Sequence, residues 1–342
     1  MERSTTNKRI RTLLKAAYMV LVTALILLVL EAVAIWLGLG DPVLYYNDAW
    51  GGLRPLPNQQ VERLRGATVT IDSNGFRSAQ PASPGALRIL YIGDSVTWGG
   101  TSVTDIAVFT EVAADVLRAD GQEVYAMNAG VNGTSLVNQA EVFHRHADEA
   151  DAVVWLFPWG DVERTYAVVG ALWPARYRPR FALVEAVDHV LFRFWTNLLR
   201  ERPPPAHDFR TPEGPAGYEA FFADVLAARQ AKNLDAARAV VAEAQRRNLP
   251  IILGVTPYRD GPRLEPLTDD ARHFIEDMEA LGVPIFDASA VLEQASGDME
   301  PLFIDHVHFE VAGHRAVGEA LGALLQTHLQ SSDSLSIWPN QP

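Results

Sequence analysis

A serine in one short turn and an aspartate–histidine pair about 210 residues downstream are the residues of this chain best suited to chemistry. Ser95 follows Gly93 and Asp94 at the end of an apolar run, and Asp305 precedes His308 by three residues. A serine hydroxyl becomes a good nucleophile when an oriented base removes its proton. At a strand-to-helix turn it also lies beside helix-start amides, which favour negative charge on an attacked oxygen. The pattern therefore indicates nucleophilic catalysis.

Two other interpretations of these residues remain open at this point. Gly-Asp-Ser is also ordinary turn chemistry, because all three residue types favour turns. The downstream group could instead be drawn as a metal cluster comprising Asp305, His306, His308 and His314. A zinc site needs fixed ligand geometry, and a serine motif accompanies this group. We predict no metal and no cofactor.

The elements that must position these residues follow from hydrophobic periodicity. From Gly85 onward, strand-like and helix-like segments alternate, which predicts a doubly wound α/β fold with a mostly parallel, five-stranded sheet. The predicted strands are Leu87–Ile92, Glu123–Asn128, Ala152–Phe157, Pro250–Val255 and Val283–Phe286. The almost wholly apolar third strand is typical of the centre of a parallel sheet. Ligands bind at the carboxyl ends of such strands, and Ser95 lies at one of them.

The N-terminal 40 residues predict a cytoplasmic basic flank followed by a single transmembrane anchor. Residues 16–39 are apolar apart from Glu31, and about 24 residues suffice to cross a bilayer core of about 30 Å. The basic flank comprises Arg3, Lys8, Arg9, Arg11 and Lys15. Because such a flank stays in the cytoplasm, we expect the rest of the chain outside it, in the periplasm or beyond the cell. Ala32-Val33-Ala34 resembles a cleavage site, so a cleaved signal peptide is the alternative.

The remaining organisation is a β extension or linker at 41–84, a main domain at 85–330 and a disordered tail at 331–342. The main domain carries an insertion at 162–217, in which Phe181–Leu199 has the pattern of an amphipathic helix. That helix could be a lid, a surface that touches lipid or a partner, or a helix packed on its own domain. The net charge of −13 argues against a nucleic-acid partner, and the absence of cysteine excludes disulfides and thiolate chemistry.

Three motifs in the right order resemble the blocks of the SGNH/GDSL hydrolase superfamily, over roughly residues 85–330. The first is Gly93-Asp94-Ser95-Val96-Thr97-Trp98-Gly99, and the last is the Asp-x-x-His of Asp305 and His308. The second is Asn128-Ala129-Gly130-Val131-Asn132-Gly133, in which Gly133 matches the glycine of the family's second block. The segment Ser73-Asn74-Gly75-Phe76-Arg77 is similar to that of membrane-anchored members.

This resemblance implies a three-layer α/β/α, flavodoxin-like fold and a division of labour among the residues. Ser95 would attack an ester carbonyl, His308 would act as general base and then acid, and Asp305 would orient His308. Backbone amides of Ser95 and Gly133 would hold the oxyanion.

The third block departs from the family pattern Gly-x-Asn-Asp, whose asparagine donates to the oxyanion. Here the matching stretch is Phe157-Pro158-Trp159-Gly160-Asp161, so that Gly160 replaces the asparagine and only Asp161 is kept. Losing one oxyanion donor typically costs about 10²–10³ in rate. Either the Asn132 side chain or the Gly160 amide could supply the missing donor.

The sequence therefore predicts a membrane-anchored serine esterase or deacylase that hydrolyses a short acyl ester, such as acetyl, on a small molecule or glycan. One alternative is an O-acyltransferase that modifies an envelope or secreted polysaccharide together with partner proteins. The other is a catalytically inactive binding module of the same fold.

Overall fold

The structure, a computed structural model, describes residues 2–48, 52–164, 177–200 and 214–332. Parts of the predicted insertion (165–176 and 201–213) and most of the predicted disordered tail (333–342) lie outside the described residues. The helices are α1 (Glu2–Trp36), α2 (Ser95–Trp98), α3 (Phe109–Ala119), α4 (Leu136–His146), α5 (Ala182–Arg200), α6 (Gly214–Arg247), α7 (Asp269–Ala280), α8 (Ala288–Ala295) and α9 (Val311–Ser332). The strands are β1 (Tyr45–Asp48), β2 (Gly52–Pro55), β3 (Gln59–Glu62), β4 (Thr68–Ile71), β5 (Leu87–Ile92), β6 (Val124–Asn128), β7 (Ala152–Pro158), β8 (Ile251–Thr256), β9 (Arg259–Asp260), β10 (Arg263–Leu264) and β11 (Ile285–Asp287).

The central sheet has five parallel strands in the order β11-β8-β7-β5-β6. Counted by chain order within the sheet, this is the 2-1-3-4-5 arrangement of flavodoxin-like proteins. The predicted fold class is therefore confirmed. β7 is buried at every position and pairs with β5 and β8, as its apolar sequence predicts for a central strand.

Two hydrophobic cores cover the two faces of the sheet. Because side chains alternate along a strand, Leu90 and Ile92 of β5 enter one core and Ile89 and Tyr91 enter the other. The first core is closed by α4, α6 and α7, and the second by α3, α8 and α9. The result is three layers, with the carboxyl ends of the strands at one common edge.

The extension at 41–84 forms two antiparallel hairpins, β1–β2 and β3–β4. It joins the edge of the central sheet where the Arg77 amide donates to the Asn128 carbonyl at 2.9 Å. Val61, Val69 and Ile71 of the second hairpin pack with Trp98, which ends the short helix that begins at Ser95. The extension thus contacts the segment that carries the predicted nucleophile.

The N-terminal helix α1 includes Arg11–Trp36, 26 residues that are long and apolar enough to cross a membrane. Most of the side chains from Arg11 to Leu30 are exposed. The predicted amphipathic helix is present as α5, which packs against α1 through its first turns. The side chains of Phe192, Phe194 and Trp195 lie outside the described residues.

Candidate active site

Ser95 is held at the carboxyl edge of the sheet by a tight turn after β5. Gly93 makes the turn possible, because a Cβ there would lie 2.0 Å from the Leu156 carbonyl oxygen. Asp94 caps the next helix, since its Oδ1 accepts from the Val96 amide at 2.9 Å. Ser95 is the first residue of α2, whose first amides remain free of intrahelical partners.

The predicted acid–base pair lies on a closed loop, Phe303–Phe309, which we call the acid–base loop. The Ile304 amide donates to the His308 carbonyl at 2.7 Å and closes it. Asp305 Oδ1 accepts from the amides of Val307 (2.9 Å) and His308 (2.8 Å). Those bonds orient the carboxylate and leave Oδ2 directed at the imidazole.

The three predicted catalytic residues form one line of contacts, with His308 between Asp305 and Ser95. His308 Nδ1 lies 2.7 Å from Asp305 Oδ2, and His308 Nε2 lies 2.8 Å from Ser95 Oγ. These distances are within hydrogen-bond range, although 213 positions separate Ser95 from His308. The arrangement permits the hydroxyl to pass its proton to an imidazole that a carboxylate orients.

The protonation preferences of the pair are complementary. Burial disfavours the imidazolium, but the hydrogen bond and negative charge of Asp305 outweigh it and raise the pKa of His308. Burial also opposes ionisation of Asp305, but hydrogen bonds from the His308 ring and from the His308 and Val307 amides lower its pKa. A proton taken from Ser95 is therefore retained on His308 and not on Asp305.

A cavity of about 350 Å³ opens directly on the nucleophile. Its walls are formed by Ser95, Trp98, Gly100, Thr101, Ser102, Asn132, Gly133, Ile304 and His308. Gly133 has a φ of +71°, a left-handed conformation that favours glycine. Asn132 Oδ1 is buried and makes no hydrogen bond to any described residue. Both predicted residues of the second block thus border the same space as Ser95.

Asp161 lies in a buried ionic cluster next to the nucleophile. Arg164 Nη1 lies 3.0 Å from Asp161 Oδ1 and 3.2 Å from Asp94 Oδ2. The Gln139 side chain donates to Asp161 Oδ2 at 2.9 Å. Burial, followed by the charge of Asp94, raises the pKa of Asp161 well above its ordinary value. The sequence motifs did not indicate Arg164. Their only hint is that a basic residue stands three positions after Asp161.

Gly160, the third-block position that the family fills with asparagine, lies in the turn after β7. The ring of Tyr258, which the sequence did not indicate, covers it. A Cβ on Gly160 would lie 2.5 Å from the Tyr258 hydroxyl oxygen. Tyr258 follows the strand β8, so it too reaches this edge of the sheet.

The metal alternative finds no support among the residues described. No group of three or more His, Cys, Asp or Glu in that part of the chain is placed to hold a metal ion. His314 is buried, and its Nδ1 accepts from the Phe109 amide at 3.4 Å, at the start of α3. Burial lowers the pKa of His314 to about 3, so it is neutral. It joins α9 to α3.

The fold and the site define a doubly wound α/β protein with a serine–histidine–aspartate arrangement at the carboxyl edge of its sheet. The fold assignment rests on the strand order given above.

Comparison with solved structures finds similar chains. One is the lipase/acylhydrolase from Enterococcus faecalis, at 19% identity and a TM-score of 0.41, covering 72% of this chain and 96% of that one. Another is an acetyl xylan esterase, at 15% identity and a TM-score of 0.41, covering 70% of this chain and 100% of that one. A third belongs to the lipolytic protein G-D-S-L family and comes from Veillonella parvula, at 14% identity and a TM-score of 0.38, covering 71% of this chain and 99% of that one. No protein-family model matches the chain, and no curated protein matches it.

Proposed function

We propose that this protein is a serine esterase or deacylase of the SGNH/GDSL type. The observation that carries the proposal is the continuous hydrogen-bond contact from Asp305 through His308 to Ser95, at 2.7 Å and 2.8 Å. A nucleophile, a base and an orienting carboxylate in this geometry are the elements of acyl transfer through a covalent intermediate.

The reaction proceeds in two steps. Ser95 Oγ attacks the ester carbonyl carbon while His308 Nε2 takes the hydroxyl proton, and the carbonyl oxygen becomes an oxyanion. The amides of Ser95 and Gly133 stabilise that oxyanion. When the carbon–oxygen bond of the ester breaks, His308 gives its proton to the departing alcohol and Ser95 is acylated. A water molecule, deprotonated by His308, then attacks the acyl carbon. The bond from that carbon to Ser95 Oγ breaks, His308 returns the proton to the serine oxygen, and the free acid leaves.

The cavity beside Ser95 has room for the acyl group of the substrate. Its volume is about 350 Å³, and Trp98 and Ile304 form part of its wall. An acetyl or similarly short chain fits such a space while the alcohol part of the ester, a small molecule or a glycan, extends outward.

The apolar helix α1 supports attachment of this domain to a membrane. Its exposed apolar side chains have no protein cover among the described residues, and burying them in lipid removes that surface from water. With residues 16–39 in the bilayer and the basic flank in the cytoplasm, the catalytic domain lies outside the cytoplasm.

The test is hydrolysis of p-nitrophenyl acetate by the full-length protein in detergent. Ser95→Ala should reduce kcat/KM by about 10⁴ or more. Ser83→Ala, at an exposed serine outside the site, is the matched control and should act like wild type. If Ser95→Ala hydrolyses the ester as fast as wild type, the proposal is wrong.

Two further assays address the alternatives. If folded wild-type protein fails both to hydrolyse esters and to react with a fluorophosphonate probe at Ser95, the inactive binding module is the better explanation. If an acylated glycan accumulates in place of free acid when glycan is added, the protein is an O-acyltransferase that uses the same residues.

A further inference from the structure

The first turns of α5 run back along α1. Glu31 Oε1 accepts from the Ala182 amide at 2.8 Å, and Oε2 accepts from the Leu183 amide at 2.9 Å. From this contact, an apolar groove of about 590 Å³ extends between the two helices. It is lined by Ala24, Leu27, Leu28, Glu31, Phe181, Leu183, Val184 and Val187. The carboxylate therefore satisfies two helix-start amides at the place where it would otherwise be an isolated charge in an apolar segment.

The opposite side of α5 is attached to the extension. Arg63 Nη2 lies 2.6 Å from Glu185 Oε1, and both side chains are buried. The Gly40 amide donates to Glu185 Oε2, also at 2.6 Å. α5 is thus fixed between the anchor helix and the body of the protein.

The side of α5 that faces away from the body is apolar and uncovered. Phe181, Val187, Val190 and Leu191, which we call the outer face, are 56%, 47%, 68% and 49% exposed. Val190 and Leu191 follow Val187 at intervals of three and four residues, so the three share one side of the helix. This surface continues the exposed apolar surface of α1 across the groove.

We propose that the outer face contacts phospholipid acyl chains in the outer leaflet, beside α1. If α1 spans the bilayer, the contact of Glu31 with the start of α5 requires the first turns of α5 to lie at the depth of that residue. Lipid then covers the outer face and fills the groove, and the domain is held at one height and orientation on the membrane. This inference depends on the anchor and not on the ester chemistry.

The test exploits the absence of cysteine from the chain. Val190→Cys creates a single labelling site at a largely exposed position, so the fold is not disturbed. The full-length variant is labelled with an environment-sensitive nitrobenzoxadiazole dye and placed in nanodiscs of phosphatidylcholine with or without doxyl-labelled lipid. Glu279→Cys, at an exposed position on α7, is the matched control.

We expect the label at position 190 to emit at shorter wavelength than the control and to be quenched by doxyl lipid. Emission and aqueous iodide quenching equal to those of the control would overturn the proposal. So would a label that is shielded from iodide but not quenched by doxyl lipid. If the unlabelled Val190→Cys variant then forms a disulfide between copies, the outer face contacts a second copy of the chain.

A separate observation concerns Tyr258. Its hydroxyl oxygen occupies the space into which a side chain at position 160 would project. The ring lies edge-on to Trp159 at 4.7 Å between centroids and stacks on His306 at 5.8 Å. Tyr258 therefore stands between the turn after β7 and the acid–base loop, and no described residue accepts its hydroxyl proton. Burial, with the charge of Asp161, raises its pKa, so the hydroxyl stays protonated.

We infer that Tyr258 donates a hydrogen bond to the oxyanion, as a third donor with the amides of Ser95 and Gly133. This inference rests on the proposed hydrolase activity. A neutral hydroxyl with a free proton can stabilise charge that develops in the transition state, which Gly160 cannot do through a side chain.

Tyr258→Phe tests this role, with Tyr46→Phe as the matched control at an exposed tyrosine. We expect kcat/KM for p-nitrophenyl acetate to fall by about 10²–10³ in Tyr258→Phe and to stay unchanged in Tyr46→Phe. Tyr258→Ala should lose as much activity as Tyr258→Phe. Adding Gly160→Asn to Tyr258→Ala should restore activity at least about tenfold, because the asparagine side chain then has room to donate. A purely structural tyrosine would not be rescued in this way.

The possible failures are distinguishable. Wild-type protein that neither hydrolyses the ester nor labels at Ser95 refutes the proposed function. Active wild type with Tyr258→Phe within about twofold of it refutes only the role of Tyr258. If Asn132→Ala loses activity where Tyr258→Phe does not, the third donor is Asn132.

Discussion

Arg77 Nε donates to Asp105 Oδ1 at 2.8 Å, and both side chains are buried. The same guanidinium donates to the carbonyls of Trp98 (2.8 Å), Gly100 (2.5 Å) and Val103 (2.5 Å). Arg77 comes from the extension, whereas the segment from Trp98 to Ser102 forms one wall of the cavity beside Ser95. The extension therefore shapes the candidate active site and is more than a linker.

Replacing Arg77 with Met should destabilise the protein by about 3–5 kcal/mol, because Asp105 would be left buried and unpaired. Three carbonyls would also lose their donor. Urea unfolding of full-length protein in detergent measures the change. Arg272→Met, which removes an exposed pair with Asp269, is the control and should cost at most about 1 kcal/mol. Equal stabilities for the two variants would contradict the importance of the buried pair.

The pH dependence of hydrolysis should report on His308. Only the neutral imidazole can accept the Ser95 proton, so activity is lost as pH falls through the pKa of His308. Burial opposes the charged form, but Asp305 outweighs burial and raises that pKa above its ordinary value of 6.5. We therefore expect the acidic limb of kcat/KM to have its midpoint above pH 6.5. A flat profile between pH 5 and 9 would argue against His308 as base.

Asp305→Asn should move that limb to lower pH, since it removes the group that raises the pKa of His308. The rate at the plateau should also fall, by about 10⁴, because the imidazole loses the partner that sets its tautomer and stabilises its charge. Asp269→Asn, at an exposed surface carboxylate, serves as the comparison. Full activity in Asp305→Asn would exclude Asp305 from the catalytic residues.

Gly93→Ala should disrupt the turn that presents Ser95. The added methyl would lie 2.0 Å from the Leu156 carbonyl oxygen and 2.2 Å from Thr97 Oγ1, so β5 and β7 would have to separate. Overpacking of this kind costs at least about 1–3 kcal/mol, and displacement of Ser95 should remove most hydrolysis. Gly297→Ala is the matched control because nothing lies within 4 Å of the new methyl there. Thermal unfolding and ester hydrolysis together would show both effects.

Local pattern was sufficient to predict much of this protein. The strand predicted at Leu87–Ile92 is β5 without change of bounds, and the apolar third strand lies at the centre of the sheet as expected. Residue type and position singled out Ser95, Asp305 and His308, which the structure places in contact. These features were accessible because periodicity and turn chemistry are encoded within a few neighbouring residues.

The sequence could not determine the contacts between segments that share no local pattern. Arg164 beside Asp94, Tyr258 over Gly160 and Glu31 at the start of α5 each join residues at least 70 positions apart. Such pairs arise only when strands and helices pack, because burial, charge and shape then select which side chains meet. The sequence by itself determined the doubly wound sheet and the types of its reactive residues. The tertiary structure alone decided what surrounds Ser95 and Gly160 and how α5 is held against α1.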